Sequence, residues 1–277
     1  MNDFVIVIPV YKDTLDCIEE ISLNRLMTVI GDKNYPICLV CPESLDTNIY
    51  NKLIPNLIEE RFEDKYFKST ATYSQLCINY DFYDRFSNYK YMLIYQLDCY
   101  LFYDAIQKWC DQDFDYIGGP IISTDCGWDT VKKAQQTYQP YVGNGGFSLR
   151  KIEVFKDICD PNGELRTTYN LTDEKLKDIR WEDKYFCNDL YNLYKMNIPS
   201  YSDAVWFGLD MSVDVIYGYF GWKGTPMGCH SWDKNIRYWK KVLPELKDNE
   251  EVINFCEKKH EEFFKLYYDE NDSSLRK

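Results

Sequence analysis

The sequence predicts an α/β fold: a mixed, mostly parallel central sheet flanked by helices, closed by a C-terminal helical tail. Three observations lead there. Phe4–Val10, Ile37–Cys41 and Tyr91–Tyr95 are short, continuous apolar runs, the mark of strands buried on both faces. Segments with helical spacing separate them, and that alternation favours parallel pairing. No internal repeat, low-complexity tract or Pro/Gly-rich linker divides the chain, so residues 1–245 read as one domain and 246–277 as a tail packed on it.

The elements follow in order. After the first strand, Asp13 or Thr14 can cap a helix that places Leu15, Ile18, Ser22, Leu26 and Val29 on one face and stops at Gly31. Pro42 ends the second strand. Thr47–Leu57 reads as a helix broken or kinked at Pro55, and Ser74–Phe86 as another. The Tyr91 strand runs on toward Gln96 and Asp98. Tyr103–Trp109 is a short helix, Asp115–Pro120 a short strand, and Ser123–Pro140 a loop without periodicity. Val142–Arg150 carries a glycine-rich turn, followed by a helix over Ile152–Ile158. Residues 160–180 are polar and irregular, and Trp181–Met196 is helical. The tail helix, Glu250–Tyr268, turns Val252, Phe255, Cys256 and Phe263 inward.

Composition narrows the function classes. The 277 residues are 45% hydrophobic, enough for a sizeable core. The formal net charge of −13 repels phosphate backbones and anionic lipid surfaces, so nucleic acid is not an expected partner. An anionic small substrate would need a metal ion or a local donor cluster. The 25 tyrosines suit clefts that bind sugars, and an AT-rich coding sequence accounts for them without any site. Eleven cysteines are odd in number, scattered, and set in apolar patterns, as reduced thiols are. Cys38 and Cys41 have redox-motif spacing but lie along a strand. No run approaches a membrane span and no basic n-region opens the chain, so the expected location is cytoplasmic.

Four features carry chemistry. Asp98 ends a buried strand, where open α/β sheets bind ligands, with Gln96 two residues before it. A strand-end carboxylate also serves to cap a loop or pair with an arginine. Gly143-Asn-Gly-Gly146 permits close backbone approach to a ligand, and the Asn144 amide both donates and accepts, as sugar hydroxyls require. Trp181-Glu-Asp183 opens a helix, where carboxylates suit the dipole or, left ionised, serve as a general base. His230 sits in a Gly- and aromatic-rich loop fit for a metal ligand, whereas His260 falls on the tail helix with a structural place.

In order, these features resemble the GT-A glycosyltransferases with their Rossmann-type sheet. More closely, Tyr95–Phe102, Asp115–Pro120, Val142–Arg150 and Glu182-Asp183 resemble a bacterial family of uncharacterised GT-A-like proteins, over roughly residues 3–235. The resemblance implies an enzyme of hexosyltransferase type. It would move a sugar from a nucleotide-sugar donor, expected to be UDP-linked, to a hydroxyl of a glycan or glycoconjugate, with inversion. Asp98 would match the last Asp of the Asp-x-Asp motif that holds Mn²⁺ or Mg²⁺ against the diphosphate. Gln96 stands where the first Asp is expected, a departure that weakens the metal site. His230 would match a late histidine completing the metal shell. Asp183 would be the base, with Glu182 binding a sugar, and residue types alone do not separate the two. Asn144, Gly145 and Gly146 would lie near the sugar, and Pro9 and Tyr11 near base and ribose. The alternatives are an inactive nucleotide-sugar-binding protein, favoured by Gln96, and a metal-dependent nucleotidyltransferase.

Overall fold

A computed structural model gives the fold and describes residues 3–121, 141–190, 194–210, 213, 215–219 and 221–261. A six-stranded sheet has the order β3-β2-β1-β4-β9-β6. Its strands are β1 (Phe4–Pro9), β2 (Ile37–Pro42), β3 (Ile58–Phe62), β4 (Tyr91–Tyr95), β6 (Tyr116–Gly118) and β9 (Phe147–Lys151). The first four pair in parallel, and only β9 runs antiparallel to its neighbours β4 and β6. Three smaller strands, β5 (Tyr100–Leu101), β10 (Gly208–Leu209) and β11 (Gly228–Cys229), form a second sheet, and β7 (Pro120–Ile121) pairs with β8 (Tyr141–Val142).

The apolar runs are strands because both of their faces are covered. Phe4, Ile6 and Ile8 with Tyr91, Leu93 and Tyr95 fill one core, together with the helix Cys17–Ile30. Val5, Val7, Met92 and Ile94 fill the core on the opposite face, against the helices Thr70–Cys77 and Ile152–Cys159. A third cluster joins Ile18 to Trp232, Trp239, Val252, Ile253 and Cys256, so the tail helix Glu250–Lys259 packs on the first helix.

Several boundaries differ from expectation, each for a local reason. Asp16 caps the first helix, not Asp13 or Thr14, because its carboxylate accepts from Ile18 and Glu19 N–H while Glu19 reaches back to Asp16 N. The chain past Pro55 is the edge strand β3 rather than more helix. Asn79 starts a new helix, Tyr80–Asp84, and so splits the expected Ser74–Phe86 helix in two. The polar stretch 160–180 holds two short helices, Glu164–Thr168 and Asp173–Leu176. After Glu182–Lys184 the helix widens into a π-turn over Tyr185–Asp189. Phe255 of the tail is 40% exposed, and Ile253 takes its inward place. Residues 123–140 and Phe263 lie outside the described residues. Burial pushes the Cys38 thiol up and Cys41 to about 11, consistent with inert strand cysteines.

Candidate active site

Register places the first two features side by side. Tyr95 pairs with Phe147 across β4 and β9, so the chain leaving β4 meets the glycine-rich turn entering β9, and Gln96 N–H donates to Gly146 O (3.0 Å). A tight turn, Cys99 N–H to Gln96 O at 2.9 Å, then carries Asp98 into the cleft. On the small sheet, β10 and β11 run parallel, with Leu209 opposite Cys229. Asp210 and His230 therefore emerge next to each other. Asp210 was not among the sequence candidates.

His230 is the hub of this cluster. Its Nδ1 lies 3.0 Å from Asp210 Oδ1 and 3.1 Å from Asn144 Nδ2, and its Nε2 lies 3.1 Å from Gln96 Oε1 and 3.2 Å from Asp98 Oδ1. Burial opposes the imidazolium, yet the two flanking carboxylates win and push its pKa up to about 10. Burial likewise opposes ionisation of Asp98, and His230, helped by Lys234, holds that carboxyl well below its usual range. Asp98 Oδ1 is withdrawn from water and accepts no hydrogen bond, having only the ion-pair contact with His230.

An unsatisfied buried carboxylate oxygen beside a ring nitrogen is what a small hard cation would complete. Asp98, His230 Nε2 and the Gln96 side-chain carbonyl could hold it once the cation displaces the Nε2 proton, with Asp210 on Nδ1 fixing the ring. Among the described residues no three His, Cys, Asp or Glu side chains form a metal cage. The donor set is thus two such residues plus an amide oxygen. It suits Mg²⁺ or Mn²⁺ that keeps waters and takes ligand oxygens.

The glycine turn ties this cluster to the acidic pair. Gly145 N–H donates to Asp183 Oδ2 (3.2 Å), and Asn144 Oδ1 accepts from Phe147 N–H (3.0 Å). The two glycines are required by close approach rather than by backbone angle. A Cβ on Gly145 would lie 2.6 Å from Glu182 Oε1, and one on Gly146 would overlap the His230 ring. Gly146→Ala is accordingly expected to displace His230 and weaken any Mn²⁺-dependent donor binding by about tenfold or more, while the fold survives. Thermal shifts with and without Mn²⁺ check this.

Glu182 and Asp183 have different environments. Glu182 is turned inward: its Oε1 accepts from Arg150 Nη2 (2.9 Å), and its Oε2 lies 3.0 Å from Ser74 Oγ. Arg150, fully buried, also donates to Ser148 Oγ and Tyr83 Oη. It reaches this place because alternate residues of β9 face opposite cores, Phe147 and Leu149 one way, Ser148 and Arg150 the other. Asp183 is partly buried, held by Gly145 N–H and by Lys184 N–H to Oδ1 (2.6 Å). Burial, then the neighbouring Glu182 charge, raises its pKa to about 7.

A cavity of about 490 Å³ opens beside Asp98 and Gln96, with Pro9 and Tyr11 on its wall. Four lysines also line it, Lys12, Lys68, Lys234 and Lys259, together with Glu19 and Asp233. Lys12 and Lys259 are shared with Glu19 and Asp16. Nothing in the sequence announces this cationic lining, because its members come from four distant segments.

A protein-family model of unknown function, DUF5672, matches residues 57–230. The chain belongs to the DUF5672 family. No curated protein matches it in sequence. The DUF5672 chain is similar in structure to the galactosyltransferase LgtC in complex with donor and acceptor sugar analogs, at a TM-score of 0.54 and 11% identity, covering 82% of this chain and 86% of that one. An active-site mutant of LgtC gives a TM-score of 0.53 at 10% identity, over 90% and 95% of the two chains. Core-mannan synthase A from Aspergillus fumigatus, in its Mn/GDP form, gives 0.44 at 13% identity and 64% of each chain, less than two thirds of that synthase's length. The likeness to LgtC is one of fold, so this DUF5672 chain has the mixed, mostly parallel α/β fold of GT-A glycosyltransferases.

Proposed function

We propose that this chain is a glycosyltransferase that moves a sugar from a nucleotide-sugar donor, UDP-linked, to a hydroxyl of a glycan or glycoconjugate. One observation carries the reading: the Asn144–Gly146 turn holds Asp183 on one side and the Asp98–His230 pair on the other. That spacing of roles is what glycosyl transfer needs, an anchor for the leaving diphosphate and a base for the attacking hydroxyl. LgtC, a galactosyltransferase seen with donor and acceptor sugar analogs, shares the fold and supports the reading.

In this scheme the nucleotide lies in the lysine-lined cavity against Pro9 and Tyr11, and its diphosphate reaches Asp98. A divalent cation held by Asp98, His230 and Gln96 would offset charge on the leaving diphosphate. Asp183 accepts the proton of the acceptor hydroxyl as its oxygen bonds to the anomeric carbon. The bond from that carbon to the diphosphate oxygen breaks, and the electron pair leaves with the nucleoside diphosphate. Attack from the side opposite the leaving group inverts the centre. Glu182 takes no part in proton transfer, because Arg150 neutralises it inside the protein.

Incubation with a panel of UDP-sugars and Mn²⁺ tests this, and slow release of UDP from one donor is expected even without an acceptor. If no donor is hydrolysed while one raises the melting temperature, the chain is a binding protein, the reading that Gln96 favours. Asp98→Ala should remove the stabilisation by UDP with Mn²⁺, weakening the joint affinity by about tenfold or more. An unchanged thermal shift in that variant would take Asp98 out of the anchor.

A further inference from the structure

A second hollow, also of about 490 Å³, shares no lining residue with the lysine-lined cavity. Two aromatic rings dominate it. Trp206 is 45% exposed and Tyr103 41%, a large apolar surface to leave in water unless something covers it. Both are braced from behind. Trp222 packs edge-on against Trp206 with centroids 5.0 Å apart, and a Cβ on Gly224 would collide with both of these indoles. The Tyr103 hydroxyl donates to Thr225 O (3.3 Å). Both rings are therefore braced in place, and the buried Trp109 lines the same hollow.

The polar groups around the platform are a cation, an anion and an amide: Lys108, Asp203 and Gln112. Among the described residues the Lys108 and Gln112 side chains have no hydrogen bond or ion pair. Asp203 spends one oxygen on Ser200 Oγ (2.7 Å) and keeps the other uncommitted. One positive and one negative charge cancel, so the hollow has no preference for an anion such as a nucleotide. Its chemistry complements a ligand that is flat and apolar on one side, ringed by hydroxyls, and neutral. A pyranose has that surface: its C–H face packs on an aromatic ring, and its hydroxyls both donate and accept.

We propose that this hollow binds a neutral pyranose unit of a glycan chain, stacked on Trp206 and Tyr103, apart from the site of transfer. That the glycan is the acceptor rests on the glycosyltransferase reading; that the hollow binds sugar does not. Trp206 precedes Asp210 by one short strand, and its carbonyl accepts from Met227 N–H (2.8 Å), so the platform is built on the same small sheet that positions His230.

Affinity electrophoresis of the full chain in gels cast with starch, galactomannan, yeast mannan or hydroxyethyl cellulose tests the assignment. At least one of these polymers is expected to retard the wild-type protein. Trp206→Ala should weaken that binding by roughly tenfold or more, while Trp206→Phe keeps part of it. The UDP and Mn²⁺ thermal shift should be the same in all three proteins, which also reports that they fold. Retardation by none of the polymers overturns the proposal, as does a Trp206→Ala variant retarded like wild type. So does a change of oligomeric state on Trp206→Ala, which would make a second copy of the chain the occupant. Glycan binding without UDP-sugar turnover would remove the proposed function and leave this site standing, and the reverse result would remove only this site.

Discussion

Replacing Asp183 with Asn is expected to abolish sugar transfer while leaving donor binding in place. The amide is nearly the same size, and its one oxygen can still accept from Gly145 N–H and hold the turn, while the Lys184 N–H contact to the other oxygen is lost. What is lost is a group able to take the acceptor proton, and general base catalysis contributes about 10²–10⁴-fold. The pH dependence has a definite sign. With the Asp183 pKa raised to about 7 by burial and the Glu182 charge, the ionised form accumulates only as pH rises through that value. Transfer should therefore climb between about pH 6 and 8. Stability should move the other way: the folded chain holds this proton more tightly than the unfolded one, whose ordinary value is 3.8, so that contribution is lost as pH rises from there through about 7. Titrating kcat and the melting temperature over the same range tests both signs together. Full transfer in Asp183→Asn would move the base elsewhere.

Arg150→Met is expected to be strongly destabilising. The guanidinium is fully buried and holds Glu182, Ser148 and Tyr83 at once, so its removal leaves a carboxylate inside the protein without a counter-charge. Breaking a buried pair from one side costs about 3–5 kcal/mol. The double change Arg150→Met with Glu182→Leu should recover most of that loss, because no charge is then left stranded. Denaturant unfolding of the wild type, both single variants and the double variant closes the cycle. Additive losses would mean that the two side chains do not depend on each other. The variants also separate stability from tuning. The Glu182 charge raises Asp183 and the Arg150 charge lowers it, so Glu182→Gln should shift the pH profile of transfer toward acid.

How much of this was legible in the sequence depended on how local each signal is. β1, β2 and β4 could be read because a strand covered on both faces must be apolar at every position, and the end of β4 then marks the ligand edge. β3 could not. As an edge strand paired only with β2, Ile58-Glu-Glu-Arg-Phe62 carries three partly exposed charges and shows no continuous apolar run. Asp98, His230 and the glycine turn were visible as isolated oddities, and the structure brings them within hydrogen-bonding reach. Asp210 was missed because β10 and β11 are two residues each, too short for any period. Arg150 stood inside a recognisable motif, but an arginine's burial is a property of the opposite sheet face and its partners. Glu182 and Asp183 differ in that the buried Arg150 faces Glu182, and residue types alone do not show that pairing.

The lysine-lined cavity has a consequence for how the protein comes into being. Its wall is assembled from Pro9 and Tyr11 near the start, Asp98 in the middle, and Lys259 and His260 of the tail helix. Contacts so far apart along the chain close late, after the entropy of the intervening loops has been spent. During synthesis the strand that presents Asp98 leaves the ribosome long before the helix that finishes the cavity. A nascent chain would present Asp98 without the enclosure around it, so a ligand of this cavity would find its full set of contacts only once the tail helix has been released and has docked.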